Sequence, residues 1–343
     1  MPPHEPDACH APSRLKLVVA YGCIYIIWGS TYLAIRWGIE SIPPLLMAGS
    51  RFVLAAILLT AITLPGRYRA ARAAMRLPRL PSGRMWGAAL LLGTLMLAFG
   101  NGTVTWAEQY VPSAIIALLV GMVPMWMAVL GAIGPRGVRP TLKTLAGLLI
   151  GIAGVVILIG PSRITEAIGS FGDSGEAANG SRMLLWATVA MFFSTLAWSI
   201  GSLLSLRLVR PADKNTGTSM QMLLGGLVLL AAAAVRGEFV AFDPGAVTLR
   251  SALSFGYLVV FGSIIAFTAY TWLLTVSTPA RVATYAYVNP VVAVALGAWL
   301  ADEPLTRQTG LASAVIVAGV ALVVSPKPAQ PSPTPQCTSD AET

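Results

Sequence analysis

The chain has 343 residues, of which 56% are hydrophobic and only 11% charged. Soluble domains carry about 25% charged residues, so composition excludes a water-soluble enzyme and argues against a nucleic-acid binder despite the net charge of +9. It is the composition of an all-α integral membrane protein whose solvent is the lipid bilayer.

Apolar runs of about 20 residues, the length that crosses the hydrocarbon core, predict ten transmembrane helices. They fall at 15–36, 44–65, 85–106, 112–133, 141–160, 182–206, 216–236, 251–275, 280–300 and 307–325. Residues 1–14 form a tail expected to be disordered. It lacks a basic start and an apolar core, so no cleavable signal is expected and the first span directs insertion.

Polar residues inside spans are the functional candidates, because each is costly in lipid unless it has a task or a partner. The first span carries Trp28-Gly29-Ser30-Thr31-Tyr32. Gly29 permits close backbone approach or a bend, and Ser30 and Thr31 can repair backbone hydrogen bonds or meet a solute. Trp28 and Tyr32 are four apart and share a helix face, either as a cavity wall or as ordinary packing. The second span buries Arg51, either as an anion-attracting group on a pathway or as a structural arginine tied to a helix end or a glutamate. Six arginines follow it: Arg67, Arg69, Arg72, Arg76, Arg79 and Arg84. The third span ends with Asn101, Thr105 and Glu108 at helical spacing, one polar stripe. Glu108 is the expected partner of Arg51, with Glu40 as a competitor. If protons are coupled at all, Glu108 is the main candidate to carry them.

Pro124 interrupts the fourth span, and Gly147, Gly151 and Gly154 give the fifth a small-residue face for packing within the chain or against a second copy. Residues 161–181, rich in glycine, read as an outer linker. The sixth span supplies Trp198 and the seventh Gln221. The eighth contains Ser263, Thr268, Tyr270 and Trp272. The ninth opens Tyr285-Ala286-Tyr287-Val288-Asn289-Pro290; Pro290 is positioned to kink it, and at most one of the two tyrosines can face a cavity. Residues 326–343 read as a second disordered tail.

The halves repeat. Trp106 and Pro124 recur at constant offset as Trp272 and Pro290, and Trp28 and Arg51 recur as Trp198 and Gln221. Five spans per copy make the copies cross in opposite senses, and paired interruptions in matching spans point to a transporter site at their interface. Most arginines and lysines fall on one side of the ten spans. The positive-inside rule makes that side, with both termini, cytoplasmic. The only histidines, His4 and His10, lie in the tail, so neither a metal site nor a triad is expected. No phosphate-binding loop or cofactor motif is present.

Several motifs together resemble one family. They are Ile27-Trp28-Gly29-Ser30-Thr31-Tyr32, Pro43-Pro44 with Met47-Ala48-Gly49 and Arg51-Phe52, Gly100-Asn101-Gly102 with Glu108, and Tyr285 through Val294. The chain is similar over residues 15–325 to EamA-family permeases of the drug/metabolite transporter superfamily, in particular their YedA-like branch. That resemblance implies two inverted five-helix EamA repeats, 15–160 and 182–325, around a central cavity. It also implies export of small metabolites, such as amino acids or toxic compounds, across a bacterial inner membrane. The family's glutamate near the last span matches Glu303; its first-half counterpart is replaced by Pro135 through Pro140, which suggests a cap or loop anchor.

The expectation is therefore a secondary transporter. Its small-molecule site would use Trp28, Ser30, Tyr32, Arg51, Asn101, Thr105, Glu108, Trp198, Tyr270, Tyr287 and Asn289, with Gly29, Pro124 and Pro290 as hinges. Export of lipophilic cations is the alternative, and a membrane enzyme or assembly factor the rival of another class. Whether the chain works as a monomer or a homodimer stays open.

Overall fold

The computed structural model describes residues 13–73, 80–111, 113–131, 142–159, 176–209, 211, 213–300 and 306–324, and among them every regular element is helical. Three long helices come first: α1 (Arg14–Gly38), α2 (Pro44–Ala73) and α3 (Gly83–Ala107). The next apolar run is broken at 121–122 into α4 (Ser113–Val120) and α5 (Val123–Gly131). It is followed by α6 (Leu142–Ile159). The second part contains α7 (Glu176–Leu204), α8 (Lys214–Val235), the short α9 (Glu238–Ala241) and α10 (Leu249–Val276). It closes with α11 (Pro279–Val282), α12 (Tyr285–Leu300) and α13 (Arg307–Val324). Six of these helices, α1, α2, α3, α7, α8 and α10, contain a stretch long and apolar enough to cross a membrane. Residues 1–12 of the first tail, the whole second tail, residues 135–140, Arg76, Arg79, Glu303 and most of the expected linker lie outside the described residues; α1 begins at Arg14, inside the expected first tail, and α7 at Glu176, inside that linker.

Local chemistry fixes the helix ends. Ser13, Asp213, Thr248 and Thr278 cap helices by accepting backbone N–H groups two or three residues on, the usual work of short polar side chains at this position. Gly237, at φ +72°, takes the left-handed turn after α8, where a Cβ would be strained. The next residue, Glu238, reaches across to α2: its Oε2 accepts the Leu46 N–H at 2.8 Å. This satisfies one of the orphan donors of that helix start.

Packing relies on close glycine crossings, as expected where lipid supplies no hydrophobic drive between helices. At the α3–α8 crossing Gly93 faces Gly225, and at the α2–α8 crossing Gly49 faces Gly226. Gly151 and Gly319 meet between α6 and α13.

Three helices contain π-helical stretches: Cys23–Ile27 in α1, Gly93–Gly102 in α3 and Leu258–Ala266 in α10. Such turns are rare and gather at functional sites. All three abut the central cavity or its aromatic wall.

Candidate functional site

The central cavity, about 60 Å³, is lined from both parts of the chain. α1 gives Trp28, Thr31, Tyr32 and Ile35; α3 gives Gly100, Asn101 and Val104. Val120 and Val123 flank the break before α5, α7 adds Ser194, Thr195 and Trp198, and α12 adds Tyr285 and Asn289.

Trp28 is the centre of the aromatic wall. Its ring meets Trp198 edge-on at 5.6 Å, Tyr270 at 5.0 Å and Tyr285 edge-on at 5.1 Å. These are favoured aromatic geometries. Its Nε1 donates to Gly262 O at 3.2 Å, within the π-stretch of α10. Trp198 Nε1 donates to the Tyr270 hydroxyl at 3.2 Å, and Ser202 shares a 2.7 Å hydrogen bond with the same hydroxyl. Tyr270 therefore backs the wall and is not among the lining residues.

The polar side of the cavity starts at Asn101. Its Oδ1 accepts Arg51 Nη2, and the guanidinium also lies 4.5 Å from the Phe52 ring centre, a cation–π contact. Arg51 is only 2% exposed, and its Nε is buried without a hydrogen-bond partner. Asn101 is thus a direct hydrogen-bond partner of Arg51; Glu108, the expected one, stands seven residues beyond Asn101, about 10 Å along a helix. Its backbone oxygen accepts Arg36 Nη1 at 3.1 Å. Glu40 engages Arg250 at 3.4 Å and does not compete for Arg51.

Asn289 fills the backbone-repair role. With its amide nitrogen turned toward the surrounding carbonyls, it donates to Tyr285 O, Tyr25 O and Ile24 O at 3.1, 3.0 and 3.2 Å. It thus clamps α12 to the π-stretch of α1, where carbonyls are freed. Pro290 follows it inside α12. Pro124 sits in the first turn of α5, where its missing N–H costs nothing; the break itself precedes it. Gly29 packs against Val292 of α12.

The structure brings together Trp28, Tyr32, Asn101, Trp198 and Asn289, with Arg51 and Tyr270 directly behind. Ser30 turns away, bonding Ile27 O at 2.8 Å and the Tyr257 hydroxyl at 2.6 Å. Thr105 is fully buried and returns its hydroxyl to Asn101 O at 3.1 Å. The Tyr287 side chain lies outside the described residues. Sequence reasoning missed Ser194 and Thr195, and of the neighbouring candidates it placed Ser30 and Tyr287 in the site where Thr31 and Tyr285 line the cavity. Ser194 and Thr195 lie one turn before Trp198, so helical spacing from that tryptophan was the available signal.

Long apolar helices around an aromatic and polar cavity define a multi-span membrane protein with a small internal site. The chain belongs to the EamA-like transporter family, whose model matches residues 17–160 and again 184–325. It is 39% identical over 321 residues to the uncharacterized inner membrane transporter YedA of Escherichia coli K12, covering 92% of this chain and 94% of that one. It is also 24% identical to a probable amino-acid metabolite efflux pump of the same organism, over 87% of this chain and 91% of the pump. A solved crystal structure, 20% identical, shares the fold with a TM-score of 0.58 over 90% of this chain and 96% of that chain.

Proposed function

We propose that this protein is a secondary transporter that exports small metabolites, amino acids or related compounds, across the bacterial inner membrane by alternating access. Ten transmembrane helices, arranged as inverted repeats at 15–160 and 182–325, complete the reading, with both termini cytoplasmic. One observation carries it: the cavity is shared by both repeats, and Trp28 packs on Trp198, its mate in the repeated sequence. Ligand pockets usually measure about 300–1,000 Å³. A cavity near 60 Å³ is well below that range and must widen to pass a solute, which alternating access provides.

The electrostatics favour a zwitterion over a lipophilic cation. No acidic residue is among the lining residues, and Arg51 stands behind Asn101. A cation exporter would want a carboxylate among the aromatics and no arginine nearby. A membrane enzyme would need a nucleophile and base at the cavity, and its described lining offers hydroxyls and amides without a histidine or an acid.

The test is uptake and counterflow in proteoliposomes with amino acids, nucleosides, sugars and lipophilic cations, with and without a pH gradient. Saturable counterflow of amino acids supports the assignment, and its response to the gradient reports proton coupling. Saturable movement of the cations alone overturns it.

A further inference from the structure

A second cavity, about 240 Å³, opens between the first turns of α8 and the last turns of α10. It is larger than the central one and chemically different. Among the described residues Lys214 is the cation that lines it, together with the hydroxyl residues Thr218, Thr271 and Thr275 and with Gln221. No acidic residue is among its lining residues.

These groups are ordered as a ladder. Lys214 Nζ donates to Thr275 Oγ1 at 2.9 Å, and the Thr218 and Thr271 hydroxyls meet at 3.1 Å. Thr218 lies one turn from both Lys214 and Gln221 on the same helix face. The adjacent Asp213 is engaged elsewhere: it caps Asn215 and Thr216 and pairs with Arg67 at 3.7 Å.

Gln221 decides the case. It is 3% exposed, and its side-chain oxygen is buried with no hydrogen-bond partner. Buried polar atoms are almost always satisfied, so an acceptor left open at the inner end of a polar cleft asks for a donor. Lys214 at the other end asks for an anion, and the Thr218, Thr271 and Thr275 hydroxyls, which donate to Lys214 O, Thr268 O and Trp272 O, line the path between with acceptor oxygens. A single small solute carrying both groups answers both.

We propose that this cleft is a second solute-binding site, taking a small carboxylate-bearing solute whose ammonium or hydroxyl group reaches Gln221. It communicates with the central cavity through α10: Thr271 lines the cleft, and its chain neighbour Tyr270 packs on Trp28 and Trp198. The cleft lies at the end of the bundle that holds Arg67 and the α8 start. The export reading makes that end cytoplasmic, so the cleft is where solute is collected before the centre opens. Only this direction of entry rests on the export reading; binding does not.

The test uses a chain carrying Cys9→Ser, Cys23→Ser, Cys337→Ser and, at an apolar lining position of the cleft, Leu208→Cys, labelled by a membrane-impermeant maleimide in vesicles of either orientation. Zwitterionic amino acids are the probes, with an amine lacking the carboxylate as control. The expected result is labelling from the arginine-rich face alone, slowed by the amino acids and not by the amine. Adding Gln221→Leu, or Lys214→Gln should the first fail to fold, weakens protection about tenfold, the equivalent of one lost charge-assisted hydrogen bond. Adding Trp198→Ala, which damages the central wall, leaves protection in place. Protection abolished by Trp198→Ala but untouched by Gln221→Leu and Lys214→Gln overturns the proposal in favour of one central site. So does an absence of protection in a protein that counterflows amino acids, and then transport stands. Protection without counterflow of any solute keeps the site and sinks the export reading.

Discussion

The α3–α8 crossing gives a prediction whose size follows from three glycines. A Cβ on Gly225 would stand 2.7 Å from Gly93 O, 3.0 Å from Gly93 C and 3.0 Å from Leu97 Cβ. Carbon contacts are comfortable at about 3.5–4.0 Å, so the helices must part by several tenths of an ångström or more. Two of the three obstacles are backbone atoms, which cannot rotate aside. Overpacking of this kind costs about 1–3 kcal/mol. Replacing glycine by alanine within a helix also gains up to about 1 kcal/mol of intrinsic propensity, and a control removes that gain from the comparison. Gly87, on the same helix α3, has nothing within 4 Å of its Cβ position. Gly102 is intermediate, because its Cβ would press on Leu229 Cδ2, the far end of a flexible side chain. The expected order of thermal stability in detergent is Gly87→Ala above Gly102→Ala above Gly225→Ala. The first and last should differ by about 1–3 kcal/mol. Fluorescence-detected size-exclusion after heating reads the order. A Gly225→Ala chain that melts with or above Gly87→Ala would refute the backbone-contact argument.

Three further outcomes are expected. Arg51→Gln removes the charge behind Asn101 and should lower counterflow by at least about tenfold, the scale of one lost charge-assisted hydrogen bond; an unchanged rate and pH profile would show that the charge has no part in the site. Trp198→Ala deletes the contacts to Trp28 and Tyr270 at 5.6 and 5.5 Å, each worth about 0.5–1.5 kcal/mol, so melting should fall and half-saturation for counterflow should rise together. Glu238→Ala strips the cap from Leu46 N and should cost about 1–2 kcal/mol in thermal denaturation. Glu238→Gln should keep most of it, and equal melting of Glu238→Ala and the parent chain would reject the capping role.

What the sequence disclosed follows from how lipid treats polar groups. Trp28, Asn101, Trp198 and Asn289 stood out because each interrupts an apolar span, and the cavity gathers all four. Phase was harder to read. Ser30 and Thr31 are adjacent and so differ by about 100° around the helix, and nothing local says which faces inward; Thr31 does. The choice between Tyr285 and Tyr287 is the same problem, and Tyr285 lines the cavity. Charge arithmetic selected Glu108 for Arg51, and it gave no hint of the uncharged amide of Asn101, which hydrogen-bonds Arg51 directly. Glu238 drew no notice in the sequence, because a cap supplied from another helix leaves no mark in neighbouring residues. The π-stretches were hidden for a related reason: they alter hydrogen-bond register without altering composition.

Those stretches make the walls of the cavity adjustable. A π-turn holds an extra residue, and passing that residue along the helix converts π to α on one side and α to π on the other. Carbonyls exchange partners one at a time, so the ladder is never broken across its width. Trp28 immediately follows the stretch in α1, Asn101 lies within the one in α3, and Tyr270 stands four residues beyond the one in α10. Moving the extra residue past any of these positions turns that side chain about its helix axis while the rest of the rod stays seated. The three stretches thus set a change of hydrogen-bond register beside Trp28, Asn101 and Tyr270, on three helices that meet at the centre.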